Sequence, residues 1–364
     1  MINRLLAYLG RHLDRQLLTL VSLLLVIGLI TLYSASGTSL ERVGAQLANI
    51  SVALVVMWVA ANVPLHYLSR IALPLYVLGL LLLVAVDLVG EIVNGAQRWL
   101  DLGFTRIQPS ELMKIAVPLM LAWYFDRYEA VLKMSNFVVG AILLGVPVLL
   151  IAKQPDLGTA LLVAAAGFYV LFLAGLSWKI LIGLVVLGAA SVPFLWSMLH
   201  DYQRQRVLTL LDPSQDPLGA GYHTIQSSIA LGSGGLFGKG WLNGTQAHLD
   251  FLPERTTDFI FAVYGEEFGL LGNLVLLALF LVVIARGLVI SANAPTLFTR
   301  LLAGAITLTL FTYVFVNIGM VAGILPVVGV PLPLISYGGT SLVTILFGVG
   351  LLMSIQTHRR LVQT

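Results

Sequence analysis

The 364-residue chain contains no cysteine, and only 10% of its residues are charged, whereas 59% are hydrophobic. The absence of cysteine excludes a disulfide framework, a thiolate zinc site and an iron–sulfur site. An ordinary soluble domain carries about 25% charged residues, so a soluble globule of this composition would expose a mostly apolar surface to water. Intrinsic disorder is excluded as well, because disordered chains combine low hydrophobicity with high charge. The composition therefore predicts an integral membrane protein.

The apolar residues form long continuous runs, which indicates helices as the membrane-spanning elements. A transmembrane β-barrel would instead show segments of about 10 residues with alternating polarity. With about 20 residues per crossing, the sequence predicts an all-α polytopic membrane protein with about ten transmembrane helices. We expect residues 1–364 to form a single transmembrane domain. The predicted spans are 17–36, 46–63, 71–89, 110–125, 137–152, 157–175, 180–199, 259–285, 301–323 and 341–357.

The basic residues indicate how these spans are oriented. Residues 1–16 alternate basic and leucine-rich positions, which predicts a cytoplasmic interfacial segment lying on the membrane surface. Ten spans place both termini on one side, and the positive-inside rule favours the cytoplasm for that side. A cleaved signal peptide is a weaker interpretation of the first span, because its apolar part is longer than a usual signal core.

Three connections do not have the composition of membrane-spanning helices. Residues 200–258 form a long extracytoplasmic loop between helices 7 and 8, in which we expect short helices across the outer mouth. Its glycine-rich part, 232–240, has two interpretations, a flexible loop or a nest of amides for phosphate. Residues 90–110 form a second outer loop. Residues 324–340 contain three prolines and predict an irregular segment near the site, since irregular backbone at membrane depth must be buried or line a cavity.

Ionisable residues within or beside the spans are functional candidates, because burying them in a membrane is costly. Glu111 and Lys114 share one helix face. They form a mutually neutralising pair, or Lys114 is available to an anionic headgroup. Asp258 directly precedes the eighth span. It is a carboxylate that the helix dipole stabilises, or it is a general base whose pKa that dipole keeps low. Asp156 precedes the sixth span in the same way.

Other charges sharpen the expectation of an outer anion site. At least one of Glu266 and Glu267 must face the protein interior, given their separation around a helix. The basic residues on the predicted outer side have two interpretations. They are scattered charges in contact with water, or together they hold an anion. These residues are Arg98, Arg106, Lys114, Lys153, Arg204, Arg206, Lys239 and Arg255. No histidine has metal-ligand spacing, and no serine hydrolase or zinc protease motif occurs.

Seven sequence strings are spread along nearly the whole chain. They are GAQRWLDLG (95–103), QPSELMKIAVP (108–118), AKQPDLGTAL (152–161), DYQRQRV (201–207), DPLGAGYH (216–223), FLPERTTDFIFAVYGEEFG (251–269) and GILPVVGVPLPLISYGG (323–339). Together these strings resemble the SEDS family of cell-wall polymerases. Within that family, LPER at 252–255 and DYQRQRV at 201–207 resemble the elongation-type rather than the division-type members. Thr256 departs from the pattern, since elongation-type proteins have histidine there.

This resemblance implies a peptidoglycan glycosyltransferase of the bacterial inner membrane with ten helices and both termini in the cytoplasm. It implies that the enzyme polymerises lipid II, an undecaprenyl-diphosphate-linked disaccharide-pentapeptide, at the outer membrane face during cell elongation. Asp258 is then the general base, or a ligand of a divalent cation such as Mg²⁺ or Mn²⁺. The residues expected to hold or orient the diphosphate are Arg106, Lys114 and Arg206, with Arg98 or Arg204, then Glu111, Gln203 and Asp156.

Two other functions fit the same resemblance, a lipid II flippase and a scaffold for a penicillin-binding protein. A flippase would need a charged path through the full bilayer, whereas the predicted intramembrane charges lie towards the outer side. The resemblance also implies partners, namely a class B penicillin-binding transpeptidase and the elongation-complex proteins MreC and MreD.

Overall fold

The computed structural model describes residues 12–93, 96–101, 103, 106–198, 204, 208, 220–249, 251–252 and 254–358. Over these residues the chain is mainly helical. The helices are α1 (Arg15–Ala35), α2 (Leu40–Asn62), α3 (Leu65–Val89), α4 (Pro109–Arg127), α5 (Met134–Lys153), α6 (Leu157–Leu173), α7 (Trp178–Met198), α8 (Ala220–Ser233), α9 (Thr245–His248), α10 (Ile260–Ala292), α11 (Leu297–Val321) and α12 (Thr340–His358).

Each predicted apolar stretch coincides with one long helix. Within the described residues, seven helices are long and apolar enough to cross a membrane, namely α1, α2, α3, α5, α10, α11 and α12. Helices α6 and α7 are apolar but supply shorter apolar segments, and α4 carries Glu111 and Lys114. The prediction of a multi-pass helical protein is confirmed.

The prediction of an all-α chain missed three short strands, which form a small antiparallel sheet. Strand β1 (Glu91–Val93) pairs with β2 (Ala96–Asp101), which pairs with β3 (Arg106–Ile107). The residues between β1 and β2 are Asn and Gly, and that dipeptide is the strongest short-range signal of a hairpin. The sequence contained this signal, but hydropathy, which identified the spans, does not detect it.

The glycine-rich residues 234–240 pack against a break in α10. Gly269 interrupts the helix with φ 67° and ψ −164°. The amide of Leu270 donates to the carbonyl of Gly235 at 2.9 Å. A Cβ at Gly238 would lie 2.0 Å from the carbonyl oxygen of Glu267. The glycines therefore permit backbone-to-backbone packing.

This packing argues against both earlier interpretations of the glycine-rich residues. The amides of Lys239 and Gly240 donate to the carbonyls of Glu266 and Glu267, each at 3.0 Å, so they are not available to a phosphate. Both glutamates are buried. The Glu266 carboxylate also accepts from the Lys239 ammonium at 2.6 Å and from the Thr245 amide at 2.8 Å. These contacts fasten the loop to the helix.

Helix α11 lies at the centre of the bundle and packs against α4, α6 and α10, while α12 packs along α2. As predicted, the chain between α11 and α12 is irregular. The expected short helices of the long loop include α8 and α9, and α8 packs against α10 and α11. The hydroxyl of Ser227 in α8 donates to the carbonyl of Val321 at 2.9 Å. This arrangement places α8 and the irregular segment around the start of α10.

Candidate active site

Asp258 lies in an irregular turn directly before α10. Glu254 has φ 49°, and its carbonyl accepts from the amides of Thr257 and Phe259 at 3.1 and 3.2 Å. The side-chain amide of Asn317 in α11 donates to the carbonyls of Asp258 at 2.8 Å and Val330 at 2.7 Å. One buried amide therefore holds the Asp258 turn and the irregular segment together.

The irregular segment closes over this turn through further backbone contacts. The Ser336 hydroxyl donates to the carbonyl of Thr257 at 2.6 Å, and the Tyr337 amide donates to that of Thr256 at 2.8 Å. A Cβ at Gly329, which has φ 71°, would lie 3.4 Å from Oδ2 of Asp258. Because of these contacts the Asp258 carboxylate lies against the irregular segment instead of in open water.

Burial raises the pKa of Asp258 to about 6, and the nearby charge of Glu254 contributes to the same shift. The expectation that a helix N-terminus lowers this pKa is wrong. Helix α10 begins two residues later, and desolvation outweighs its dipole. Within the described residues, the carboxylate of Asp258 has no hydrogen-bonding or ion-pairing side chain. It is therefore a partly buried carboxyl group whose pKa lies close to neutral pH.

Lys114 and Glu111 form the buried ion pair that one of the two interpretations predicted. The Lys114 Nζ lies 2.5 Å from Glu111 Oε1, and only 5% of the lysine side chain is exposed. The ammonium lies 5.3 Å from the ring centre of Tyr313, which is a cation–π distance. The Thr344 hydroxyl donates to the other oxygen of Glu111 at 3.2 Å. The pair thus connects α4 with α11 and α12.

Lys114 also borders a cavity of about 50 Å³ between α4, α11 and α12, whose walls are mostly apolar. Ligand pockets are typically several hundred Å³, so this cavity is too small for a sugar diphosphate. Tyr313 and Asn317 lie four residues apart on α11. Four residues correspond to about 6 Å of helix. Lys114 and the Asp258 turn therefore contact side chains that lie about one helical turn apart on α11.

Asp156 caps α6 and links it to the small β-sheet. Its carboxylate accepts from the Thr159 amide at 3.2 Å and from the Gln108 side chain at 3.0 Å. Arg98 of β2 lies 3.9 Å from it. A Cβ at Gly158, two residues later, would lie 2.6 Å from the Val328 carbonyl. The start of α6 therefore contacts the segment that also borders Asp258.

The other predicted cations are more dispersed. Arg106 is 58% exposed and pairs with Glu91 across the sheet at 3.3 Å. Arg204 donates to the carbonyls of Trp196 at 3.1 Å and Ser197 at 2.8 Å, at the end of α7. Gln203 and Arg206 lie outside the described residues. The structure thus brings Asp156, Arg98, Glu111, Lys114 and Asp258 around α6 and α11, with Arg106 at the rim.

Some residues of the site were not identified from the sequence. Asn317 could have been identified from the sequence, because a side-chain amide within an apolar span needs a buried hydrogen-bonding partner. The ring of His223 in α8 stacks on Phe259 at 5.5 Å, and burial lowers its pKa. Glu254 acts through its charge on Asp258. No local pattern brings these two residues to the site, because a long loop and a turn position them.

The described side chains around Asp258 supply few of the donors that a divalent cation needs. Among the described residues, no group of three His, Asp or Glu side chains could hold a metal ion. Mg²⁺ requires near-octahedral oxygen coordination, and Asp258 with Glu254 would supply two carboxylates at most. The described side chains therefore do not form a metal site by themselves.

Comparison with known proteins gives one consistent result. The family of cell cycle proteins that comprises FtsW, RodA and SpoVE matches residues 14–361. The chain is 56% identical over 351 residues to the peptidoglycan glycosyltransferase MrdB of Escherichia coli K12, covering 96% of this chain and 95% of that protein. It is 39% identical over 310 residues to a probable peptidoglycan glycosyltransferase FtsW of Geobacter metallireducens, covering 84% and 82%.

Solved structures give the same relationship. A structure of a peptidoglycan synthase complex, described as coordinating polymerization and crosslinking, contains a chain 33% identical with a TM-score of 0.83, covering 95% of this chain and 98% of that one. The rod shape determining protein RodA of Thermus thermophilus is 31% identical with a TM-score of 0.72, covering 95% and 97%. The resemblance found in the sequence, including its elongation-type character, is confirmed.

Proposed function

This chain belongs to the FtsW, RodA and SpoVE family of cell cycle proteins, and we propose that it polymerises lipid II with Asp258 as the general base. The chain is a peptidoglycan glycosyltransferase, the activity that its relative MrdB is named for. The observation that carries the Asp258 role is a partly buried carboxylate with a pKa of about 6. A general base works best when its pKa lies near the working pH.

In the proposed reaction, Asp258 accepts the proton of the acceptor sugar's C4 hydroxyl. The hydroxyl oxygen attacks the anomeric carbon of the donor and forms the new glycosidic bond with inversion. The bond between that carbon and the diphosphate oxygen breaks, and its electron pair leaves with undecaprenyl diphosphate. No water molecule is consumed, so the site needs one base and cationic stabilisation of the leaving group.

The cations differ in how readily they can bind the leaving diphosphate. Arg106 is exposed, and its partner Glu91 is 40% exposed, so an incoming diphosphate can replace that carboxylate at low cost. Lys114 is buried with Glu111. It therefore acts mainly through the electrostatic field of its charge and by holding α4, α11 and α12 together. We propose Arg106, with Arg98 and the undescribed Arg206 and Gln203, as diphosphate contacts. Arg204 is a further candidate at the end of α7.

The proposed topology has ten crossings in one domain, residues 1–364. The interfacial segment 1–16 and both termini lie in the cytoplasm, and the loop 200–258 lies outside the inner membrane. The distribution of basic residues supports this orientation. In this arrangement Asp258 lies at the outer interface, where lipid-linked sugars would be accessible.

The proposed partners are a class B penicillin-binding transpeptidase and, in the elongation complex, MreC and MreD. The similarity to a chain of a peptidoglycan synthase complex supports the first of these. A transpeptidase beside the polymerase would crosslink each glycan as it emerges. Flipping lipid II is less well supported. The buried charged side chains Lys114, Glu266 and Glu267 lie in the half of the bundle that carries Asp258, and the buried Asp14 at the opposite end is neutralised by Arg286.

The test compares Asp258→Asn with wild type in lipid II polymerisation by purified protein, with and without the transpeptidase. Asp101→Asn is the matched control, because Asp101 is an exposed carboxylate of β2 on the same side. We expect long glycan from wild type and the control, and none from Asp258→Asn at unchanged thermal stability. Normal polymer from Asp258→Asn would remove this residue from the mechanism. A wild type that binds lipid II without polymerising it would favour a flippase or scaffold.

A further inference from the structure

A second site lies at the end of the molecule opposite Asp258. Helix α1 has 21 residues, about 31 Å of helix, which matches the hydrocarbon thickness of a bilayer. Its C-terminal end lies near the Asp258 turn, because the Arg255 guanidinium donates to the carbonyl of Ala35 at 2.7 Å. Its first residue, Arg15, therefore lies at the other membrane interface.

An open groove of about 620 Å³ lies at that interface between α1 and α10. We call it the α1–α10 groove. Its mouth is formed by Arg15 and Arg286, and its wall is formed mainly by Leu20, Val282 and Val289. The wall residues of α10 are exposed. In a bilayer such an apolar wall contacts acyl chains, while the guanidinium groups reach the headgroup level.

The charges at the mouth do not cancel. Arg286 forms an ion pair with Asp14, with 2.5 Å between Nη2 and Oδ2. Arg15 is exposed and has no ion pair within the described residues. One net positive charge therefore remains beside an apolar channel. An occupant that complements both features has an anionic headgroup and a hydrocarbon chain.

We propose that the α1–α10 groove binds an anionic phospholipid, with its phosphate at Arg15 and Arg286 and an acyl chain along Leu20, Val282 and Val289. This site is separate from the glycosyl-transfer site and needs no assumption about it. Basic pockets between transmembrane helices bind anionic headgroups by this combination of charge and apolar surface. Bound lipid would then join the start of α1 to the end of α10 at the interface.

The test is native mass spectrometry of the full chain in neutral detergent, titrated with phosphatidylglycerol or phosphatidylcholine. We expect phosphatidylglycerol to bind about fivefold more tightly, the ratio that corresponds to about 1 kcal/mol for one arginine near a lipid phosphate. Arg15→Gln should abolish this preference. It should leave folding intact, because it removes a positive charge from a helix N-terminus, where positive charge is unfavourable.

Two further variants decide whether the groove itself is responsible. Arg300→Gln is the matched control, since Arg300 is exposed in the first turn of α11, at the same interface and outside the groove. Ala285→Trp fills the groove without changing charge and should weaken binding of phosphatidylglycerol. Equal binding of the two lipids, equal losses in Arg15→Gln and Arg300→Gln, or unchanged binding in Ala285→Trp would overturn the proposal.

A crosslinking experiment in native membranes distinguishes other occupants. A photoreactive side chain at Val289 should capture phospholipid. A crosslink to protein instead, whether to another chain or to residues 1–11 of this chain, would refute lipid as the occupant.

Discussion

The pH dependence of glycosyl transfer tests the environment of Asp258 directly. Burial and the charge of Glu254 raise its pKa from an ordinary value of 3.8 to about 6. The carboxylate would be about nine-tenths ionised at pH 7 and about one-tenth ionised at pH 5. Because a general base acts only when ionised, we expect the transfer rate to fall about tenfold between these two pH values. A carboxylate with an ordinary pKa would lose almost none of its activity over the same range.

The assay is single-turnover transfer from lipid II under saturating conditions, at pH values from 5 to 8, with folding verified at each pH. Glu254→Gln provides the internal comparison. It removes one of the two causes of the shift, so the midpoint of the profile should move towards lower pH while the plateau at high pH stays the same. A rate that is flat from pH 7 to pH 5 would refute the proposed base. An unmoved midpoint in Glu254→Gln would refute the electrostatic contribution of Glu254.

Three substitutions test the contacts that build the site. Lys114→Met leaves Glu111 as an unpaired buried charge and should lower the free energy of unfolding in detergent by about 3–5 kcal/mol. The double variant with Glu111→Gln should recover most of this loss. Asn317→Leu leaves two buried carbonyls without their donor and should cost about 1–3 kcal/mol for each of them, lowering kcat more than it changes KM. Gly238→Ala places a Cβ 2.0 Å from the Glu267 carbonyl oxygen and should lower the melting temperature of the protein. Gly235→Ala is the control, because Gly235 also has positive φ but its Cβ would meet no atom within 4 Å. The melting temperature should fall less in Gly235→Ala than in Gly238→Ala.

Hydropathy alone was sufficient to locate the long helices, because each span must satisfy its own backbone hydrogen bonds inside a bilayer. Every predicted span coincides with a helix, with ends that shift by up to seven residues, as between 259–285 and Ile260–Ala292. The small sheet at 91–107 was missed for a different reason. Its signal is the Asn-Gly dipeptide at 94–95, which lies outside the predicted spans.

The candidate base was identified from the sequence, but its environment was not. The position of Asp258 before an apolar span predicted an ionised carboxylate with a low pKa. Its surroundings depend on Gly329, Ser336 and Asn317, which are separated from it by more than fifty residues. Desolvation by distant segments has no local pattern in the chain, so only the fold determines its size and sign.

The same division applies to the charged residues. The sequence by itself determined the helical membrane class, the approximate spans and the presence of ionisable residues within or beside them, because these follow from local composition. The partners of those charges were decided by tertiary structure alone. Lys114 is buried against Glu111 and Tyr313, whereas Arg106 is exposed at the rim. Which cation can meet a substrate therefore depends on packing between helices far apart in the chain.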